Sequence, residues 1–179
     1  MKKFFLSVLG LGLFFGVDAV AQTAPKVGHT NTTYIVTQLP DTKKAQTELE
    51  TVRTQLEKVI QDKSKTFQEK VERYQAGAAS MSEQTRTTTE TELQKLRGEL
   101  EELQTKSEKT FMDKQESLFK PIMDKVNKAI KDVAKEQGYS YIINGDTGSV
   151  GNPVILYSGS EDSDITNLVL KKLGVTATN

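Results

Sequence analysis

The sequence predicts an α+β fold in which a long antiparallel α-helical hairpin, a coiled-coil arm, projects from a small β-rich head. Three observations carry that expectation. From Asp41 to Gln137 the chain holds only two of its twelve glycines (Gly77, Gly98) and one of its four prolines (Pro121), so nothing interrupts helix for nearly a hundred residues. Within that stretch apolar residues recur at Leu49, Val52, Leu56 and Val59, and again at Leu93, Leu96, Leu100 and Leu103, the three-four alternation of a coiled-coil seam. The segments with strand character, by contrast, lie at the two ends of the chain.

Residues 1–21 read as a cleavable signal peptide. Lys2 and Lys3 form a positive start, Phe4 to Val17 an apolar stretch, and Ala19-Val20-Ala21 a cleavage site before Gln22. Export from the cytoplasm is the expected consequence. Removal of residues 1–21 takes away Lys2, Lys3 and Asp18 and leaves 22 basic against 23 acidic residues, a balance of −1. A nucleic-acid binder would need a surplus of Lys and Arg, so no nucleic-acid partner is expected. The absence of cysteine excludes a disulfide framework, a thiol nucleophile and a lipid-anchored cysteine.

Residues 22–40 and 122–179 are assigned to the head, and 41–121 to the arm with its tip near 77–80. Val27 to Asn31 reads as a strand, as do Tyr139 to Asn144 and Val154 to Tyr157, the last two joined by the turn-rich Gly145 to Pro153. Thr32 to Leu39 has strand propensity, but Asn31 is a good N-cap and Tyr34, Ile35 and Leu39 share a helical face, so a short helix ending at Pro40 is preferred. Asp41 then caps the first arm helix. At the tip, Ser80 and Glu83 form an S-x-x-E capping box. Pro121 predicts a kink or break, Gly138 a helix end, and residues 164–173 a terminal helix followed by Gly174. Val154-Ile155-Leu156-Tyr157 is apolar at four successive positions, which predicts burial on both faces, and a head this small needs a subunit partner to supply it.

Charge pairs such as Glu69–Arg73, Glu102–Lys106 and Glu116–Lys120 are expected to support an exposed helix. The seam pattern slips by one residue beyond Leu56: Ile60, Phe67, Val71 and Tyr74 are apolar where strict continuation asks for Lys63, Thr66, Lys70 and Arg73. Folding at Gly77 to Ala79 sets Phe67, Val71 and Tyr74 opposite Glu90, Arg86 and Glu83, and Ser82 to Glu92 contains no apolar residue. Ile60, Phe67, Val71 and Tyr74, with Met81 near the tip and Met112 lower down, are therefore candidate gripping residues, the competing reading being that the stripe packs against its own helix neighbours or another subunit.

No catalytic constellation emerges. The single histidine, His29, lies in a predicted strand without a second group to work with. Gly145 to Gly151 lacks the Lys-Ser/Thr of a phosphate loop, and Glu161 to Asp164 lacks the glycine and distal glutamate of a calcium loop. No enzyme activity, cofactor or metal is expected.

The order of elements resembles the Skp/OmpH family of periplasmic chaperones for outer-membrane proteins. The resemblance rests on Lys26-Val27-Gly28-His29-Thr30-Asn31-Thr32 through Leu39-Pro40, on Ile130 to Tyr139, on Ile155-Leu156-Tyr157, and on Asp164-Ile165-Thr166 leading to Leu173-Gly174. It implies a homotrimer whose head strands join in a central β-body, here through Val27, Tyr141, Ile143, Val154, Ile155, Leu156 and Tyr157. It also implies three arms around a cavity that holds unfolded outer-membrane proteins without ATP. Two departures stand out: well-known members are strongly basic, and His29 occupies a strand position where an aliphatic or aromatic residue is more usual. The alternative to a holdase is a structural spacer or adaptor of the cell envelope, docking its hairpin on one folded partner.

Overall fold

The computed structural model describes residues 24–146 and 154–175; the expected signal peptide and most of the glycine-rich loop lie outside the described residues. A strand, β1 (Val27–Thr30), leads into a short helix, α1 (Thr32–Gln38). The arm follows as α2 (Pro40–Gly77), a 3₁₀ turn at Ala78–Ser80, and α3 (Glu83–Glu136). The chain closes with β2 (Tyr141–Asn144), a 3₁₀ turn at Glu161–Ser163, and α4 (Thr166–Lys172). The 38 residues of α2 span about 57 Å at 1.5 Å each, and the 54 of α3 about 80 Å.

Local chemistry accounts for the element ends. Asn31 caps α1 as expected, its side chain accepting from the Tyr34 amide at 2.7 Å. Asp41 does not cap α2. Pro40 opens that helix, where its missing N–H costs nothing, and the N-cap residue Leu39 has no side-chain oxygen to offer, so Asp41 reaches across to Lys125 at 2.9 Å instead. The cap of α3 is Ser82, two residues beyond the expected Ser80, and its hydroxyl receives the Thr85 amide while Ser80 is taken into the 3₁₀ turn. Gly138 and Gly174 both adopt positive φ (71° and 76°), and the amide pairs Gly138→Lys135, Tyr139→Ala134 and Gly174→Lys171, Val175→Leu170 make each a Schellman end.

α3 runs unbroken through Pro121. A proline forfeits one amide, but the turns on either side hold, because Ile122 and Val126 just beyond it are buried in the core while Pro121 itself stays at the surface. The expected Glu116–Lys120 and Glu102–Lys106 pairs do not form among the described residues; Lys120 turns forward to Asp124 at 3.2 Å, while Glu69 and Arg73 do approach to 3.9 Å.

The core gathers both ends of the chain. Ile35 and Leu39 of the α1 region, Ala45 of α2, Ile122, Val126, Ala129 and Val133 of α3, and Ile165, Val169 and Leu170 around α4 form one buried cluster. Those α3 residues repeat at three and four positions, the stripe of a helix with one apolar face. The sheet is two-stranded and parallel, with Val27 level with Tyr141 and Thr30 with Asn144. Parallel neighbours need a crossover connection, and here α1 and the whole arm form it. The expected third strand is absent: residues 154–160 are irregular and pair with no strand, and the far side of β1 is occupied by a bridge from His29 to Asp164 and the Ile165 amide on the His29 carbonyl at 2.9 Å. Burial of Val154 to Tyr157 on both faces does not occur within one chain; Leu156 and Tyr157 are each 86% exposed.

Gly28 is required by close approach. A Cβ there would lie 2.8 Å from Cε1 of Tyr139 and 3.0 Å from the Ser163 carbonyl, whereas at Gly98, inside α3, it would meet nothing within 4 Å. Gly28→Ala is therefore expected to destabilise the fold by about 1–3 kcal/mol through overpacking. Gly98→Ala should stabilise it by about 0.5–1 kcal/mol through helix propensity. Urea denaturation of both variants checks the opposite signs.

Candidate functional site

Two surfaces are candidates: the flanks of the arm, and an uncovered apolar face on the head. The arm is built by cross-helix pins. Lys114 meets Glu48 at 2.6 Å, Lys63 meets Glu99 at 2.5 Å, and Lys70 meets Glu92 at 2.8 Å, three pairs in one antiparallel register. Nearer the tip the Tyr74 hydroxyl donates to Glu90. The register differs from the sequence expectation. Extending the three pairs sets Phe67 level with Lys95, flanked by Leu93 and Leu96, and Val71 level with Thr91, not with Glu90 and Arg86. The offset arises because the turn extends to Ser82, so the hairpin folds about Met81 and not about Gly77 to Ala79.

The phase slip in α2 is visible in burial. Val59 is 52% exposed and has left the seam, and Ile60 is half-buried in its place. Phe67, Val71 and Tyr74 are likewise half-buried, on the same side as the half-buried Lys63 and Lys70. These four apolar residues thus sit along the seam with an edge open to solvent, not on a face turned fully outward. Met81 is half-buried, its terminal methyl folded against Gly77, where an added Cβ would lie 3.2 Å from it. Within the seam Ser107 is buried, and its hydroxyl has no hydrogen-bond partner among the described residues, a locus of weakness.

Met112 differs from the other five gripping candidates in being exposed, at 66%, on another side of α3. Phe119 and Met123 join it along one open depression. Sequence reasoning misses these two residues. Their spacing of seven and eleven from Met112 places all three on one helical face, and the signal is masked by the stronger leucine stripe beside it.

The threonine-rich stretch is less polar than its composition. Thr88, Thr89 and Thr91 donate their hydroxyls to the carbonyls of Gln84, Thr85 and Thr87 at 2.8–2.9 Å, turning oxygen onto the helix.

In the head, strand alternation sorts the residues. Gly28 and Thr30 are buried and Ile142 packs on the core, so Val27, His29, Tyr141 and Ile143 share the opposite face. That face is uncovered: Tyr141 is 65% exposed, and Val27, Ile143, Val154, Leu156 and Tyr157 are exposed as well, while Ile155 is half-buried. The outer edge of β2 also has no strand partner among the described residues. An open apolar sheet face beside a free edge is a surface built to be covered.

Among the described residues no three of His, Asp and Glu are gathered as ligands for a metal ion, and no helix is long and apolar enough to cross a membrane. His29 is half-buried and bordered by Asp164, Ser158 and Gly145.

Comparison with known proteins follows the same outline. Residues 26–173 match the family described as outer membrane protein (OmpH-like). The crystal structure of a candidate outer membrane chaperone (OmpH-like) from Caulobacter crescentus CB15 superposes with a TM-score of 0.68 at 14% identity, covering 99% of this chain and 95% of that one. A search of the curated proteins finds no match.

The pins make the arm acid-sensitive. Hydrogen bonds from Lys125, Lys70 and Lys63, reinforced by their charge, hold Asp41, Glu92 and Glu99 below their ordinary carboxylate values. Carboxylates lowered in this way stabilise the fold fully above their unfolded values of about 4 and lose that contribution as pH falls through the folded ones. The melting temperature is expected to hold steady down to about pH 5 and to drop below about pH 4. Glu99→Gln should show a smaller acid drop in the same scan.

Proposed function

The chain belongs to the OmpH-like outer membrane protein family, and on that premise we propose that it is an ATP-independent holdase chaperone. It works in the periplasm as a homotrimer and binds unfolded outer-membrane proteins in the cavity between its arms. The observation that carries this reading is the arm itself. Two long helices run out from a single core at one end, with apolar residues along the seam that keep an open edge: Ile60, Phe67, Val71 and Tyr74. Met81 at the tip and Met112 lower down extend the client-contacting set, and methionine suits a client without fixed shape because its side chain adapts at little cost.

Assembly gives the head its missing cover. Val27, Tyr141, Ile143, Val154, Ile155, Leu156 and Tyr157 are the proposed trimer contacts. The exposure of all but the half-buried Ile155 in one chain supports that role, since burying apolar surface yields about 25 cal/mol per Å². Three arms fixed to one β-body would then face each other across a shared space. Capture needs no nucleotide. An unfolded barrel offers apolar strands to many weak contacts at once, and a folded one withdraws them into the membrane, so release follows from folding of the client itself. The near balance of acidic and basic residues favours apolar over charge-driven capture.

Arm length tests the reading. Deleting 67–73 together with 89–95 removes one heptad from each helix and preserves the cross-helix register. The shortened protein is expected to keep its oligomeric mass but to lose at least half of its ability to prevent aggregation of an unfolded outer-membrane barrel, read by light scattering. Undiminished protection would refute the enclosure. Binding of one folded partner at fixed stoichiometry would point instead to an envelope adaptor.

The assembly is tested separately by mass. The mature chain should run at three times its monomer mass in light-scattering chromatography, and Tyr141→Ser with Leu156→Ser should shift it towards monomer while the helical signal is retained. A wild-type monomer would remove the cavity.

A further inference from the structure

The Asn144–Gly145 peptide at the end of β2 has a chemistry that neither the arm nor the assembly uses. An asparagine followed by glycine is the least hindered arrangement for attack of a backbone nitrogen on a neighbouring side-chain amide, because glycine has no side chain to obstruct the approach. In the closed head three hydrogen bonds oppose that attack. The Gly145 amide donates to the Thr30 carbonyl at 2.8 Å, extending the β1–β2 ladder by one residue. The Asn144 side-chain oxygen accepts from the Thr32 amide and from the Asp146 amide, both at 3.3 Å. The nucleophile is thus held on one strand and the electrophile on the first turn of α1.

We propose that Asn144 is a self-modification site gated by the head: it converts to aspartyl and isoaspartyl residues when β1 and β2 part. In the open state the Gly145 nitrogen loses its proton to solvent and attacks Cγ of Asn144. The new N–Cγ bond closes a five-membered imide, the Cγ–Nδ2 bond breaks, and ammonia leaves. Water then opens the ring. Cleavage of the ring at Cγ gives an ordinary aspartyl residue, and cleavage at the main-chain carbonyl gives the isoaspartyl form, in which the backbone runs through the side chain. One water is consumed and one ammonia released, with no change of oxidation state.

The isoaspartyl product carries an extra methylene in the main chain at the position that pairs with Thr30, so the ladder cannot re-form in register. Each opening of the head therefore risks a permanent mark, and the marked fraction records how often the head has opened. The site is independent of what the arm binds. The rate in the folded protein is the open-state rate multiplied by the fraction open, so tighter pairing of the two strands slows it in proportion.

The experiment follows Asn144 by peptide mass spectrometry in the intact, assembled protein held at mildly alkaline pH, with and without denaturing urea. Asn127 and Asn167, which precede lysine and leucine, serve as internal references. Conversion at Asn144 is expected to be at least about tenfold faster in urea than in the native protein, and in urea to exceed both references. Equal rates in the two conditions would overturn the gating, and parity with Asn127 and Asn167 in urea would overturn the site. Gly145→Ala supplies the second arm. Its Cβ would meet only ordinary contacts of 3.6–3.8 Å, so the variant should fold, yet in urea its conversion should fall severalfold. An unchanged rate in that variant would show that the Gly145 nitrogen is not the attacking group. Gly28→Ala, which loosens the same strands, should speed native conversion and leave the urea rate alone; no acceleration would count against strand opening as the gate.

Discussion

Parallel pairing of β1 with β2 is the constraint on which the rest of this structure depends. Two strands side by side in the same direction cannot be joined by a tight turn, so everything between them must leave the sheet and return. In this chain that excursion is α1 and the two arm helices. The ladder from Val27–Tyr141 to Thr30–Asn144 fixes where the excursion starts and where it finishes, and Gly28 allows it because nothing larger would let Tyr139 and Ser163 come so close. The core then locks the roots of the arm. Leu39 and Ala45 at the start of α2 and Ile122 to Val133 at the end of α3 belong to the same buried cluster as α4, so the arm leaves the head in one direction.

Beyond that cluster the nature of the adhesion changes. Near the head two helices are held by buried aliphatic side chains, and farther out by half-buried leucines on α3 facing a mixed seam on α2 in which Lys63 and Lys70 alternate with Phe67 and Tyr74. At that distance the charged pairs with Glu99 and Glu92 do much of the aligning. Exposed ion pairs contribute little each, so the outer arm is more weakly held than the inner. Of the proposed gripping residues, Phe67, Val71, Tyr74 and Met81 lie in this weaker zone. An apolar side chain in a loosely closed seam can exchange its neighbour across the arm for an apolar segment of another molecule, and one in a tight core cannot.

Much of this is legible in the sequence where a local rule decides the outcome. Asn31 as a cap, Gly138 and Gly174 as helix ends, the short α1 and the slipped seam at Ile60 depend on a few adjacent residues, and each is found. Misreadings arise where the deciding partner is distant. Val154 to Tyr157 has strand chemistry, but a strand exists only against another, and one chain does not supply it. The turn lies where expected, at Ala78–Ser80, but the capping box at Ser80 is passed over for Ser82, and those two residues move the register of the whole hairpin, so that Phe67 lies near Leu93 and Leu96 and not beside Glu90. The break that Pro121 allows does not occur, since the buried Ile122 and Val126 that follow keep the helix continuous through the loss of one amide. Of the candidate site, the five seam and tip residues and Met112 are visible as apolar interruptions of a polar pattern. Phe119 and Met123 are not, because they merge with the core stripe that runs next to them.

The unbroken passage of α3 through Pro121 has a mechanical consequence. One continuous helix carries the outer arm at its first turns and the head core at its last, so a load applied sideways near Glu83 meets no break in the helix before it reaches the head. It becomes torque on the buried turns from Ile122 to Val133, with a lever more than half the length of the helix. A bending load on the arm is thereby transmitted to the packing of α1 and α4, for which the head serves as fulcrum.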